Sequence, residues 1–297
     1  MQDEMNDDAG VLALETPATS SGLAAGGLMC LLSMSSIQFG AALSSQAIAS
    51  YGPAGASWLR LALAAIILAV VVRPRVVSYD RAQWTSALVL GATTALMTMS
   101  FFAAIERIPL GLAVAIDFLG PLSVATIGYG LSRRLLWPLI AALGVLALAH
   151  DGKGWVGDIE GVFFALGAGT GWAIYIVLTK EIGGSFKGLE GLSVSLLAAA
   201  LVATPFGFAG AAPNLDAYGL VEMIGLAILV PLLPYTLELV ALRRMPTASF
   251  GILMSLEPAI AALAGFIVLA QPMTLLQMAG TALVVAASAG ATFSARQ

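Results

Sequence analysis

Four ionisable side chains lie inside long apolar stretches: Arg60, Asp117, Glu238 and Glu257. Asp117 is eight residues past Pro109, about 12 Å along a helix at 1.5 Å per residue. Glu257 is eleven past Pro246, about 16 Å, which is near the middle of a hydrocarbon core roughly 30 Å thick. Glu238 is shallower, and Arg60 falls in the outer half of its stretch. A charge facing lipid costs several kcal/mol, so each should face other helices. A buried carboxylate can take up a proton or hold a cation, and a guanidinium can clamp a carboxylate. The alternative for each is an internal salt bridge that only locks helices together, and Glu238 could simply balance Arg243 and Arg244. Gln38, Trp172, Tyr175 and Tyr235 carry polar atoms that lipid cannot satisfy, so they join the candidate lining. Phe101 joins as an apolar wall, although core filling is the default for a mid-span Phe.

Prolines mark where backbone carbonyls come free. Pro121 deprives the Asp117 carbonyl of its helical partner, and Pro258 does the same to Met254. Pro231 and Pro234 free the carbonyls of Ala227 and Val230. Such breaks at mid-depth are tolerated where they line a wet cavity, or where a neighbouring Ser or Thr fills them. Small residues (Ala142, Gly144, Ala165, Gly167, Gly169, Gly171) read as packing faces, and Trp84, Trp137 and Trp155 as interfacial anchors.

The elements that position these groups are membrane helices. Hydrophobic residues make up 59% of the chain and charged ones 10%, too few to cover a water-soluble surface. Mean hydropathy is +0.95. Ten spans are expected, at roughly 23–48, 54–72, 82–104, 109–130, 135–150, 158–179, 188–208, 217–241, 247–269 and 273–293. With the N-terminus inside, the inner segments hold Arg73, Arg75, Arg81, Arg133, Arg134, Lys180, Lys187, Arg243, Arg244 and Arg296, and the outer loops only Arg107 and Lys153. That asymmetry predicts cytoplasmic termini. Residues 1–22 begin with Asp3, Glu4, Asp7, Asp8 and Glu15 and no Lys or Arg, which reads as a disordered acidic tail rather than a signal peptide. The single cysteine, Cys30, allows no intrachain disulfide.

The chain also repeats itself. Ala104, Arg107, Pro109, Leu119, Pro121, Ala125 and Gly128 match Ala241, Arg244, Pro246, Leu256, Pro258, Ala262 and Gly265 at a constant offset of 137 residues, 241 against 104. Five spans per half is odd, so the second half enters from the opposite side. The expected fold is all-α: two inverted five-helix repeats, 23–150 and 151–297, forming a basket around a central cavity. This pattern points to a secondary transporter.

Several segments resemble one family. They are Ser36-Ile37-Gln38, Leu59 to Leu63, Ile108-Pro109-Leu110-Gly111, Phe118-Leu119-Gly120-Pro121, Trp172-Ala173-Ile174-Tyr175, Leu233 to Glu238 and Met254 to Pro258. In order and spacing, they resemble the ten-helix, EamA-type branch of the drug/metabolite transporter superfamily. Within it, the threonine/homoserine-type amino-acid exporters are most similar. The resemblance implies alternating access and amino-acid efflux across a bacterial inner membrane. It departs from that pattern at Asp117, where Glu is expected, and at Thr98-Met99, where Asn-Tyr is expected. Efflux of aromatic amino acids or of cationic drug-like compounds remains an alternative. Arg60 and Gln38 favour a zwitterion over a cation.

An intramembrane enzyme is the competing class. One His, one Cys, no metal-ligand cluster and no Ser-His pairing leave it little chemistry beyond an Asp117–Glu257 hydrolase without an oxyanion site. No cofactor, metal or nucleic-acid partner is expected, and the chain is expected to act as a monomer in lipid.

Overall fold

The computed structural model describes residues 20–127, 136–182, 186, 189–242, 244–245 and 247–294. The acidic tail through residue 19, Gly128, Arg133, Arg134, Gly183-Gly184, Lys187, Arg243, Pro246 and Arg296 lie outside the described residues. Apart from one isolated bridge, between His150 and Trp155, the described residues form helices and connecting turns. The helices are α1 (Ser20–Val72), α2 (Arg81–Arg107), α3 (Leu110–Asp117), α4 (Leu119–Ile127), α5 (Leu136–Leu148) and α6 (Ile159–Ile182). They continue as α7 (Glu190–Ala211), α8 (Ala217–Ala227), α9 (Leu233–Leu242), α10 (Thr247–Met254), α11 (Glu257–Leu269) and α12 (Leu275–Ser294). Seven helices are long and apolar enough to cross a membrane, and Leu110–Val124 and Leu136–Leu148 are shorter apolar helices.

Helix α1 is interrupted. Gly52 has φ 70° and ψ 164°, a conformation that side chains exclude, and Pro53 follows without an N–H. An uninterrupted 49-residue apolar run would measure about 74 Å, more than twice the hydrocarbon core. Elsewhere capping fixes the helix starts. Asp80 Oδ1 accepts from Gln83 N at 2.8 Å, Gln83 Oε1 accepts from Asp80 N at 3.0 Å, and Asp216 Oδ1 accepts from Gly219 N at 2.7 Å. In the turn before α2, Tyr79 donates to Glu190 at 2.9 Å and packs edge-on against Phe186. Burial there and the Glu190 contact push its phenol up to about 12.

Three of the continuous spans expected from sequence are broken. Span 109–130 divides at Phe118 into α3 and α4, and span 247–269 divides at Ser255-Leu256 into α10 and α11. Span 217–241 is split by a π-helical turn, Ile228–Leu232, in which Val230 is extended. In each case a proline follows and withholds the amide the preceding turn needs. The breaks pair up: α3 ends at Asp117 and α10 at Met254, the 137-residue offset of the sequence pattern. Near the third break, Ser36 donates its hydroxyl to the Leu229 carbonyl at 2.8 Å. Part of that break is therefore satisfied by a neighbouring serine.

Packing runs along small residues. Helix α1 packs chiefly on α7, α2 on α6 and α7, and α12 on α5. Among the small residues expected to pack, Gly144 meets Gly280, and Gly169 meets the backbone of Asp117. Gly167 has ordinary clearance from Ser100, so it lies off the tight contact. Trp137, expected at the lipid interface, is packed over Gly290 of α12, because the short α5 leans its N-terminal ring onto that helix. Trp84 and Trp155 are exposed.

The tightest approach is Gly120 to Gly169. A Cβ on Gly120 would sit 2.0 Å from the Gly169 carbonyl oxygen, a backbone atom that cannot swing away. Gly120→Ala is expected to destabilise the protein by about 3 kcal/mol or more, seen as lost folded yield in detergent. Gly225→Ala is the tolerated control, since nothing lies within 4 Å of its added carbon.

Candidate functional site

The interrupted helices converge on one cavity of about 250 Å³. Helix α1 supplies Gln38 and Arg60 from its two arms, and α2 supplies Met97, Thr98 and Phe101. Asp117 comes from the end of α3, Trp172 and Tyr175 from α6. The π turn gives Pro231, α9 gives Pro234 and Glu238, and α11 gives Glu257 at its first residue. Thus Gln38, Arg60, Phe101, Asp117, Trp172, Tyr175, Glu238 and Glu257 all face the same space. The side chain of Tyr235 lies outside the described residues. Of the proline breaks, Pro231 and Pro234 line the cavity. Pro121 and Pro258 sit just behind it, ending the helices that carry Asp117 and Met254.

The local contacts show how each group is held. Gln38 Nε2 donates to Glu257 Oε1 at 3.0 Å, joining α1 to α11 in the interior. Ser33, one helical turn before Ile37, donates its hydroxyl to Glu238 Oε1 at 2.6 Å. Glu238 is thus a cavity residue tied to α1, rather than only a counter-charge at the membrane face. The Arg60 guanidinium lies over the Phe102 ring, 4.3 Å from its centroid. Trp172 packs edge-on against Phe118, ring centroids 5.7 Å apart, so the α3–α4 break is backed by aromatics. Three oxygens in this lining are enclosed and meet no donor among the described residues: Gln38 Oε1, Asp117 Oδ1 and Glu257 Oε2. Among the described residues no cluster of His, Cys, Asp and Glu has the makings of a metal site.

The sequence reading missed Met97, which lines the cavity beside Thr98, and Ser33, which holds Glu238 without itself lining the cavity. A signal exists for Ser33, because Ser33, Ile37 and Ala41 share one helical face at steps of four beside Gln38. Removing the Ser33 hydroxyl strips Glu238 of a charge-assisted donor. Ser33→Ala is expected to cost about 1.5–3 kcal/mol, read as a lower melting temperature in detergent.

A membrane bundle with one buried, charge-bearing cavity suits a transporter, and the comparisons agree. The threonine/homoserine exporter RhtA of Salmonella typhimurium (strain LT2) is 37% identical over 272 residues, covering 91% of this chain and 92% of that protein. Its Escherichia coli (strain K12) counterpart is 36% identical over the same share. The EamA-like transporter family model matches residues 159–293. This chain belongs to the EamA-like transporter family. A solved crystal structure of 17% identity covers 93% of this EamA-like transporter at TM-score 0.61 and is itself covered to 98%, which supports the fold alone. The EamA-like assignment agrees with the transporter reading of the sequence, and not with an intramembrane hydrolase.

Proposed function

We propose that this chain exports threonine, homoserine and other neutral amino acids from a bacterial cytoplasm across the inner membrane, by alternating access. The relatives named above are threonine/homoserine exporters that match along nearly their whole length. The observation that carries the reading is the cavity itself, where a guanidinium, carboxylates and an amide meet inside apolar helices. A zwitterion needs groups of both signs, and a cationic drug needs only the acids. The volume argues the same way. About 250 Å³ is below the roughly 300–1,000 Å³ typical of pockets for drug-sized ligands. Arg60, which lines the same cavity as Gln38 and Asp117, is the group that would clamp the substrate carboxylate.

The architecture proposed for this activity is ten passes in two inverted five-helix halves, 23–150 and 151–297, behind an acidic tail of residues 1–22. Counting the two arms of α1 separately and adding the two shorter apolar helices gives ten. The helix ends at Asp117 and Met254, one offset apart, support the internal repeat. The monomer is the transport unit proposed with this architecture.

Two expected outcomes test this. A homoserine-sensitive bacterium expressing the protein should tolerate more homoserine and hold less free threonine inside; unchanged tolerance with the protein present in the membrane contradicts export. For orientation, a cysteine replacing Lys153 should react with an impermeant maleimide on intact cells, and one replacing Arg243 should not. The native thiol, Cys30, is buried and gives little background. The reverse pattern overturns the cytoplasmic placement of the termini.

A further inference from the structure

The three oxygens that meet no donor among the described residues set a requirement of their own. Gln38 Oε1 and Glu257 Oε2 belong to side chains only 2% and 4% exposed, and Asp117 Oδ1 is enclosed although its residue borders open space. The Gln38–Glu257 hydrogen bond fixes which atoms remain. Gln38 Nε2 is spent on Glu257 Oε1, so the amide carbonyl and the second carboxylate oxygen are the unpaired atoms of two residues that line the cavity. All three remaining atoms are acceptors. A buried acceptor without a donor is costly, and native interiors rarely leave one without a functional reason. A side-chain hydroxyl of a substrate could satisfy one of them. An ammonium group alone brings three N–H donors.

We propose that Gln38 Oε1, Asp117 Oδ1 and Glu257 Oε2 form a subsite for a primary ammonium, which selects the substrate by its count of N–H donors. The inference rests on the export reading and deepens it. It orients the amino acid with its nitrogen toward α1, α3 and α11 and its carboxylate toward Arg60. Gln38 becomes a specificity residue: it adds no charge, but it removes one acceptor from water and reserves it for the ligand. Each N-methyl group deletes one donor and leaves one acceptor orphaned. The competing explanation is that protons on Asp117 and Glu257 satisfy these atoms, in which case the site does not count donors on the ligand.

The test is competition against labelled L-threonine on the purified, detergent-solubilised protein, using L-threonine and its N-methyl, N,N-dimethyl and N,N,N-trimethyl derivatives. Affinity is expected to fall about tenfold per methyl group. Methylation also adds bulk, so the series is repeated on Asp117→Leu, which keeps the side-chain size close and deletes one unpaired acceptor without freeing another. There the first methyl should cost almost nothing, whereas a purely steric penalty would persist. If that variant does not fold, the wild-type series compared with 2,3-dihydroxybutyrate, which lacks the nitrogen, still decides. An analogue without nitrogen that competes as well as threonine overturns the subsite. Equal binding of threonine and its N,N-dimethyl form also overturns the subsite and leaves export standing. If threonine fails to bind but other primary amines show the same graded loss, the subsite stands and the amino-acid reading fails.

Discussion

Asp117→Asn is expected to lower threonine transport in proteoliposomes about 10- to 100-fold, with folded yield and melting temperature close to the parent. Asn keeps the shape and loses the charge. If Asp117 receives the substrate nitrogen, the variant loses one charge-assisted hydrogen bond, about 1.5–3 kcal/mol, and each 1.4 kcal/mol is a factor of ten. Folding should be indifferent, because Asp117 Oδ1 has no donor among the described residues that the mutation would strand. A residue that served only to lock helices would give the opposite pattern: intact transport and a lowered melting temperature.

Glu257 separates stability from transport in a second way. Gln38 donates to Glu257 Oε1 across the α1–α11 contact, and both side chains are buried. Glu257→Leu strands the Gln38 amide and is expected to cost about 1–3 kcal/mol of stability and essentially all transport. The double variant Gln38→Leu, Glu257→Leu removes both partners. Its melting temperature should return most of the way to the parent, because two apolar side chains of similar volume can replace a buried polar pair at little cost. Transport should not return. Recovery of both in the double variant would show that the pair is structural. A double-mutant cycle on melting and on transport rates reads the two outcomes from the same proteins.

The contrast between Gln38 and Ser33 shows what a sequence reveals in a membrane protein. Gln38, Arg60, Asp117 and Glu257 are legible because lipid makes each of them expensive, so their presence in apolar sequence already implies a shared interior. Ser33 is not, because a hydroxyl on a helix can hydrogen-bond the carbonyl one turn back and needs no partner across the bundle. Ser44, which does bond the Gly40 carbonyl at 2.7 Å, shows the ambiguity in the same helix. Prolines showed which carbonyls are lost at Asp117 and Met254, but not that the helices would end there. The helix endings depend on what packs behind them, such as Trp172 against Phe118. Gly167 and Gly169 look alike in sequence, and only the azimuth at which α6 crosses α3 and α4 decides which one meets backbone. Trp137 reads as an anchor by position and is a packing residue by contact, for the same reason.

The most direct test of amino-acid transport through this cavity is counterflow. Proteoliposomes loaded with unlabelled L-threonine are diluted into trace labelled L-threonine, and the label inside is followed over time. A carrier exchanging its substrate should accumulate label transiently above its equilibrium level. The overshoot should vanish when homoserine is in excess outside, and it should be nearly absent in Asp117→Asn. Uptake by the folded wild-type protein no faster than in protein-free liposomes would contradict amino-acid transport, and a full overshoot in Asp117→Asn would contradict its passage over this site.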